Sequence, residues 1–258
     1  MNARTLYQVL QETARIHGEK PALRQPIPAK ASAAEAYLTY DWNQYQRAVE
    51  EIAAGLRSLG IGKGDVVALD SETRLEFYLA DQGVIANGSI AAAMYPSYPP
   101  KDLLRTIQTC GARAVFVEDA DTYQVLREAP IEHWFLLTGE AAGALSLDAL
   151  RQRGRAAMMA DPELMERIQS EVRPSDNAVL YLTSGATGEP KMALVTHQSI
   201  VANLDMGPAV LPLGPDDSTV AFLPSAHIAQ RVVIEFLPMR CGMPVTFAES
   251  LLDRKSVV

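Results

Sequence analysis

The stretch AVLYLTSGATGEPKMALVTHQS, residues 178–199, governs how the rest of the chain is read. AVLYL (178–182) is an apolar run of strand length, and MALV (192–195) is a second one. Thr196 then opens a helix over THQSIVANL. The nine residues between the strands, Thr183 to Lys191, hold two threonines, one serine, two glycines, a proline and a lysine. Polyphosphate binding calls for such a composition. Gly185 and Gly188 let the backbone come close to a ligand and adopt conformations closed to other residues. Successive amides, that of Ala186 included, can then converge on an anion. Thr183, Ser184 and Thr187 add hydroxyl donors, and Lys191 adds a mobile positive charge.

The spacing excludes two common nucleotide motifs. A Walker A loop needs a lysine followed by serine or threonine after GxxxxG, whereas Gly185 and Gly188 are three apart and Met192 follows Lys191. No G-x-G-x-x-G opens a helix, so a dinucleotide fingerprint is missing too. Composition alone leaves open a hydroxyl-rich turn with a solvent-facing lysine.

Upstream, apolar runs alternate with helical patterns. Residues 42–59 place Trp42, Tyr45, Val49, Ile52, Ala53, Leu56 and Leu59 on one helical face, and Gly60 supplies the stop. VVALD (66–70), SIAAAMYP (89–96), RAVFVED (113–119) and WFLLTG (134–139) read as strands, with helices over 74–87 and 101–110 between them. Two helical patterns cover 145–171, the second starting near Asp161-Pro162 with the aspartate as cap. The N-terminus reads as an amphipathic helix with Leu6, Val9, Leu10, Ala14 and Ile16 on its stripe. PIPAKASAAEA (26–36) reads as a surface loop, and no internal repeat is present. The expected fold is α/β, with mainly parallel sheets flanked by helices.

TSGATGEPK followed by MALVTHQS resembles the signature of the AMP-binding, adenylate-forming superfamily: YTSGTTGxPKG, a short strand, then THxN. Thr183, Ser184, Gly185, Thr187, Gly188, Pro190, Lys191, Thr196 and His197 fall on matching positions. The segments 42–69 and 85–119 resemble the same family, so the likeness covers most of the chain. Ala186, Met192 and Ser199 depart from it, standing where the family has a hydroxyl residue, a glycine and an asparagine. A second marker, AFLPSAHIAQRVVIEFLP (221–238), resembles the FLPLAHIxER segment of long-chain acyl-CoA synthetases, with a strand ending at Leu223 and a helix starting near Ser225. By that match His227 is the candidate for the acyl and adenylate pocket. Gln230 replaces the glutamate of the pattern and Arg231 is retained. From the residues themselves, Arg231 reads as pairing with a carboxylate such as Glu235 one turn on. His197 reads as structural in the first turn behind Thr196, and His17 and His133 as surface residues.

The resemblance implies an ATP-dependent fatty acid CoA ligase. A carboxylate attacks the α-phosphate of ATP, pyrophosphate leaves, and coenzyme A displaces AMP. ATP, Mg2+ and coenzyme A are the implied cofactors and co-substrates, and a fatty acid or other carboxylate is the partner. Thr183, Ser184, Gly185, Ala186, Thr187, Gly188 and Lys191 are the implied phosphate ligands. The family's later YGxTE-like acid, its ribose-binding aspartate and its C-terminal lysine have no convincing counterpart in residues 1–258. The expectation is therefore the N-terminal portion of an AMP-binding domain, without its C-terminal half and mobile C-terminal domain. No catalytic or metal-ligating residue is placed within it. Such a chain is expected to be inactive alone and open to self-association. Two other readings stand beside it: a non-catalytic module that kept the fold, and the adenylation part of a fatty acyl-AMP ligase.

Composition narrows the setting. The net charge of −8 argues against a nucleic-acid binder. Cys110 and Cys241 make neither a disulfide framework nor a zinc cluster and suit a reducing compartment. With no signal-peptide pattern and no apolar run of membrane-spanning length, a cytoplasmic protein is expected.

Overall fold

The fold follows from where the apolar runs find partners. The computed structural model describes residues 3–27, 36–183 and 191–248. Helix α1 (Leu6–His17) begins with a reciprocal cap: the Thr5 hydroxyl accepts from the Gln8 amide, and the Gln8 side chain accepts from the Thr5 amide. Leu6, Val9, Leu10 and Ala14 are buried as expected. Ile16 is 64% exposed, because it lies at the edge of the buried arc in the last turn. Strands β1 (Pro21–Pro26) and β2 (Tyr37–Asp41) pair antiparallel. Residues 28–35 of the expected surface loop lie outside the described residues. Asp41 and Gln44 form the same reciprocal cap at the start of α2 (Trp42–Ser58), and Gly60 ends it at a φ of 78°.

Next come β3 (Val66–Asp70), α3 (Leu75–Ala86), β4 (Ile90–Ala93), α4 (Pro100–Thr109), β5 (Ala112–Val117), α5 (Ala120–Leu126), β6 (His133–Leu136) and β7 (Leu145–Ser146). Helices α6 (Leu147–Ala160) and α7 (Leu164–Glu171) follow. Asp161 does not cap α7 as expected. It closes α6, its amide donating to the Ala157 carbonyl while its carboxylate pairs with Arg167. The last elements are β8 (Asn177–Thr183), β9 (Lys191–Thr196), α8 (His197–Val210), β10 (Thr219–Ala221), a π-helical segment (Gln230–Phe236), α9 (Leu237–Cys241) and β11 (Val245–Phe247). Strand β10 stops short of Leu223, where side chains take the backbone groups a sheet would use. The Thr73 hydroxyl donates to the Leu223 carbonyl (2.6 Å), and the Leu223 amide donates to Gln230 Oε1 (3.3 Å). The chain turns at Ser225 to His227 before it becomes helical.

Two sheets result. Seven strands run in the order β7-β6-β5-β3-β4-β8-β9, parallel throughout except for the antiparallel β8–β9 pair. Four strands run β10-β11-β1-β2, parallel except for β1–β2. The α/β expectation holds. β5 returns to the opposite side of β3 from β4, so the order reverses between β3 and β5. In open parallel sheets that reversal opens a crevice at the carboxyl ends of the strands. Those ends, at Asp70, Ala93, Val117 and Thr183, share one edge.

Helix α3 packs between the sheets, against β3 and β4 of one and β1 of the other. Every residue of it except Glu76 is buried, the pattern of a helix covered on all sides. Two further helices approach each other closely through glycines. A Cβ added at Gly154 of α6 would lie 1.7 Å from the Glu51 carbonyl oxygen of α2. Buried Glu51 fixes the same crossing by accepting from Arg151 Nε (2.8 Å) and Arg155 (2.9 Å). Gly154→Ala is expected to push the two helices apart at a cost of at least about 2 kcal/mol. Denaturant unfolding read by circular dichroism checks this, and an unchanged midpoint would show that the crossing is not so tightly set.

Candidate phosphate-loop site

The nine-residue loop springs from a hairpin. Thr183 pairs with Lys191, Leu182 with Met192 and Tyr181 with Ala193 across β8 and β9. The two loop ends are therefore held as directly opposed residues, ~5 Å apart. Of the expected phosphate ligands, Ser184, Gly185, Ala186, Thr187 and Gly188 lie outside the described residues. Lys191 opens β9 and is exposed. Met192, which stands where a glycine was expected, packs with Leu180 and Leu182 in the apolar cluster on one sheet face. Its bulk is thus accommodated, half-buried, against the core.

His197 has a structural role. The Thr196 side chain accepts from the Ser199 amide and caps α8. His197 is fully buried behind it, and its Nδ1 accepts from the Leu6 amide (3.2 Å), tying α8 to α1. Burial lowers its pKa to about 4, with Asp176 opposing the shift, so the ring is neutral at ordinary pH.

His227 lies on the turn that precedes the π-helical segment. It is exposed, and its Nδ1 accepts from the Ala229 amide (3.2 Å). The turn is fastened to the carboxyl edge of the large sheet. Besides bonding Leu223, the Thr73 hydroxyl lies 2.8 Å from that of buried Ser225.

The segment behind His227 is held by a buried polar cluster. Arg231, with no exposed surface, forms an ion pair with Asp81 of α3. This corrects the expected pairing with Glu235. A π-helix aligns residues five apart, and Gln230, Arg231, Glu235 and Phe236 form its buried set. Arg231 meets Asp81, whereas Glu235 accepts from Gln82 Nε2 (2.9 Å) and Gln230 donates to the Tyr78 hydroxyl (3.1 Å). The Arg231 guanidinium also lies over the Tyr181 ring of β8, 5.5 Å from its centre. Burial, then the Asp81 charge, push the Glu235 carboxyl well above the usual carboxylate range. Burial opposes the Arg231 charge, but Asp81, Tyr181 and Glu235 outweigh it and hold the guanidinium charged. The cluster thus sets one guanidinium against two carboxyl groups.

The two sequence markers therefore meet. The segment carrying His227 reaches β8 through Arg231, whose guanidinium lies over Tyr181, two residues before Thr183. Asp81 and Gln82 were not anticipated as part of this site. Their signal is two polar residues inside an otherwise apolar helix, a pattern that calls for a buried partner.

A family model described as AMP-binding enzyme matches residues 10–258. The chain belongs to this family. Among curated proteins it is 25% identical over 267 residues to the long-chain-fatty-acid–CoA ligase heimdall of Drosophila melanogaster, covering 95% of this chain and 37% of that protein. It is 27% identical over 259 residues to long-chain-fatty-acid–CoA ligase 6 of Mus musculus, covering 90% of this chain and 35% of that one. The chain thus spans little more than a third of the length of these relatives. Among solved structures, the anthranilate CoA ligase AuaEII in complex with anthranoyl-AMP superposes with a TM-score of 0.79 at 20% identity, over 95% of this chain and 45% of that one. Within this AMP-binding enzyme fold, the Asp81–Arg231 pair joins the helix between the sheets to the His227 segment.

Replacing Asp81 with Asn leaves the buried Arg231 charge uncompensated and is expected to destabilise the chain by about 3–5 kcal/mol. The double variant Asp81→Leu, Arg231→Met should lose markedly less. A chemical-denaturation double-mutant cycle measures both, and strictly additive losses would exclude the pairing.

Proposed function

We propose that this chain supplies the triphosphate-holding and acyl-side parts of a fatty acid CoA ligase. What supports this reading is the Arg231–Tyr181 contact, which brings the His227 segment against the strand feeding the phosphate loop. In the first step a carboxylate oxygen attacks the α-phosphorus of ATP, and the bond to the β-phosphate oxygen breaks to release pyrophosphate. The hydroxyls of Thr183, Ser184 and Thr187 and the amides of Gly185, Ala186 and Gly188 hold the β- and γ-phosphates, with Lys191 as a charge clamp rather than a base. Such preorganised donors favour the leaving pyrophosphate as charge grows on it. His227 faces the acyl and adenylate side. In the second step the thiol of coenzyme A attacks the acyl carbon and AMP leaves.

Magnesium enters this scheme with ATP. Among the described residues no group of three or more His, Cys, Asp or Glu side chains is arranged to hold it. No helix among the described residues is long and apolar enough to cross a membrane. Residues 1–258 hold no match to the family's later acid, ribose-binding aspartate or adenylation lysine. On this reading they form little or no acyl-CoA by themselves.

ATP–pyrophosphate exchange by the full-length gene product, with a panel of fatty acids, tests the assignment. Lys191→Ala is expected to lower the exchange rate about 100-fold, the scale of one lost charge-stabilising donor. An unchanged rate and ATP affinity would remove Lys191 from the mechanism. Ala186 gives a second reading some ground, since it removes a hydroxyl from the loop: a nucleotide-binding module without catalysis. ATP binding with no exchange for any carboxylate would select that reading.

A further inference from the structure

The carboxyl ends of β3 and β5, where the strand order reverses, border a crevice of about 370 Å³. It lies two strands from β8. Asp70, the last residue of β3, lines it. Only 2% of Asp70 is exposed, and its Oδ1 has no hydrogen-bond partner among the described residues. A buried carboxylate oxygen left without a donor is costly and rare. Glu118 and Asp121 line the same crevice. Glu118 is already engaged, accepting from the Ser71 hydroxyl (3.1 Å), the Glu72 amide (2.8 Å) and Arg74 (3.3 Å). Asp121 stands exposed in the first turn of α5. None of the lining residues is Lys, Arg or His, so no positive charge is supplied to Asp70 from the lining.

The walls decide which cation fits. Tyr98 presents a ring stacked on Tyr95 at 5.3 Å, and Leu103 and Val125 add apolar surface. A bare metal ion gains nothing from such walls, and the carboxylates do not form a three-ligand group. A cation with a carbon stem uses both features: the charged head meets Asp70, and the stem lies along Leu103, Val125 and the Tyr98 face. The geometry points to a binding site for a primary ammonium group on a short apolar stem, with Asp70 as its anion. Burial, then Glu118 and Glu72, raise the Asp70 pKa to about 6, as befits a carboxyl short of a positive partner. A free alkylamine and a lysine side chain share this chemistry.

Titration of the ¹⁵N-labelled chain, followed by backbone amide shifts, tests the site. n-Butylammonium is expected to give saturable shifts at Asp70, Glu118 and Asp121 that 1-butanol and tetramethylammonium do not reproduce. Nα-acetyl-lysine methylamide is the arm for a lysine side chain: binding by it as well assigns the site to lysyl groups, and binding by the free amine alone assigns it to small amines. Asp70→Asn is expected to weaken binding at least 10-fold while leaving the rest of the spectrum in place. Should that variant fold poorly, Asp121→Asn, at the exposed rim, should weaken binding about 2–3-fold. Absence of saturable shifts, equal shifts with 1-butanol, or full affinity in both variants would overturn the assignment.

Discussion

The ion pair between Arg231 and Asp81 is the constraint on which the arrangement of the site depends. Asp81 belongs to α3, the helix buried between the two sheets, and neither side chain has any exposed surface. Taking two charges out of water costs several kcal/mol per ion, and only close mutual contact offsets it. The pair therefore specifies position more than it adds stability. Arg231 must lie where Asp81 is, and the turn carrying His227 precedes it by four residues. Because the same guanidinium lies over Tyr181, the constraint reaches β8 and the strand that feeds the phosphate loop. Three segments far apart in sequence are held together by one buried cation.

The π-helical winding makes this economical. Gln230, Arg231, Glu235 and Phe236 fall into two pairs five residues apart, and all four turn inward. Gln230 reaches Tyr78, Arg231 reaches Asp81 and Glu235 reaches Gln82, so three successive polar contacts run along α3. Two carboxyls against one guanidinium would leave a net buried negative charge. The upward shift of the Glu235 carboxyl, from burial and then the Asp81 charge, acts against that build-up. The unexpected partner of Arg231 and the departure from α-helical spacing are thus one fact: the segment is wound to meet a helix whose polar residues are already fixed.

What the sequence revealed, and what it withheld, follows from the range of the interactions. The strands of the large sheet were legible because burial on both faces leaves near-continuous apolar runs, as in VVALD and RAVFV. Helix α2 was legible from its one-sided stripe. The four-stranded sheet was not. It joins β1, near the N-terminus, to β11, more than 200 residues later, and strands of three residues such as β10 leave no periodicity to read. The antiparallel turn of β9 and the exposure of Ile16 likewise depend on packing that no local pattern records. At the candidate site the loop and His227 were read by resemblance. Asp81, which positions the segment behind His227, was missed because its partner lies 150 residues away. The polar pair Asp81-Gln82 inside an apolar helix was still a sign that something polar had to be met there.

The shared carboxyl edge raises a question of charge. The chain is acidic overall, and the crevice between β3 and β5 gathers carboxyls, yet β8 on the same edge feeds the loop proposed to hold phosphates. Strand spacing resolves much of this. β3 and β8 are separated by β4 alone, so their ends lie ~10 Å apart, about one Debye length at physiological salt. At that distance exposed charges such as Asp121 are largely screened, and short-range donors decide what each end of the edge binds. Buried charge is screened less, which is where Asp70 differs from its neighbours. With a pKa near 6 it carries most of its negative charge at neutral pH, and a cation placed against it would cancel that charge where salt cannot. Net charge thus says little about the edge: its sign is set strand by strand, by which carboxyls are buried and what stands beside them.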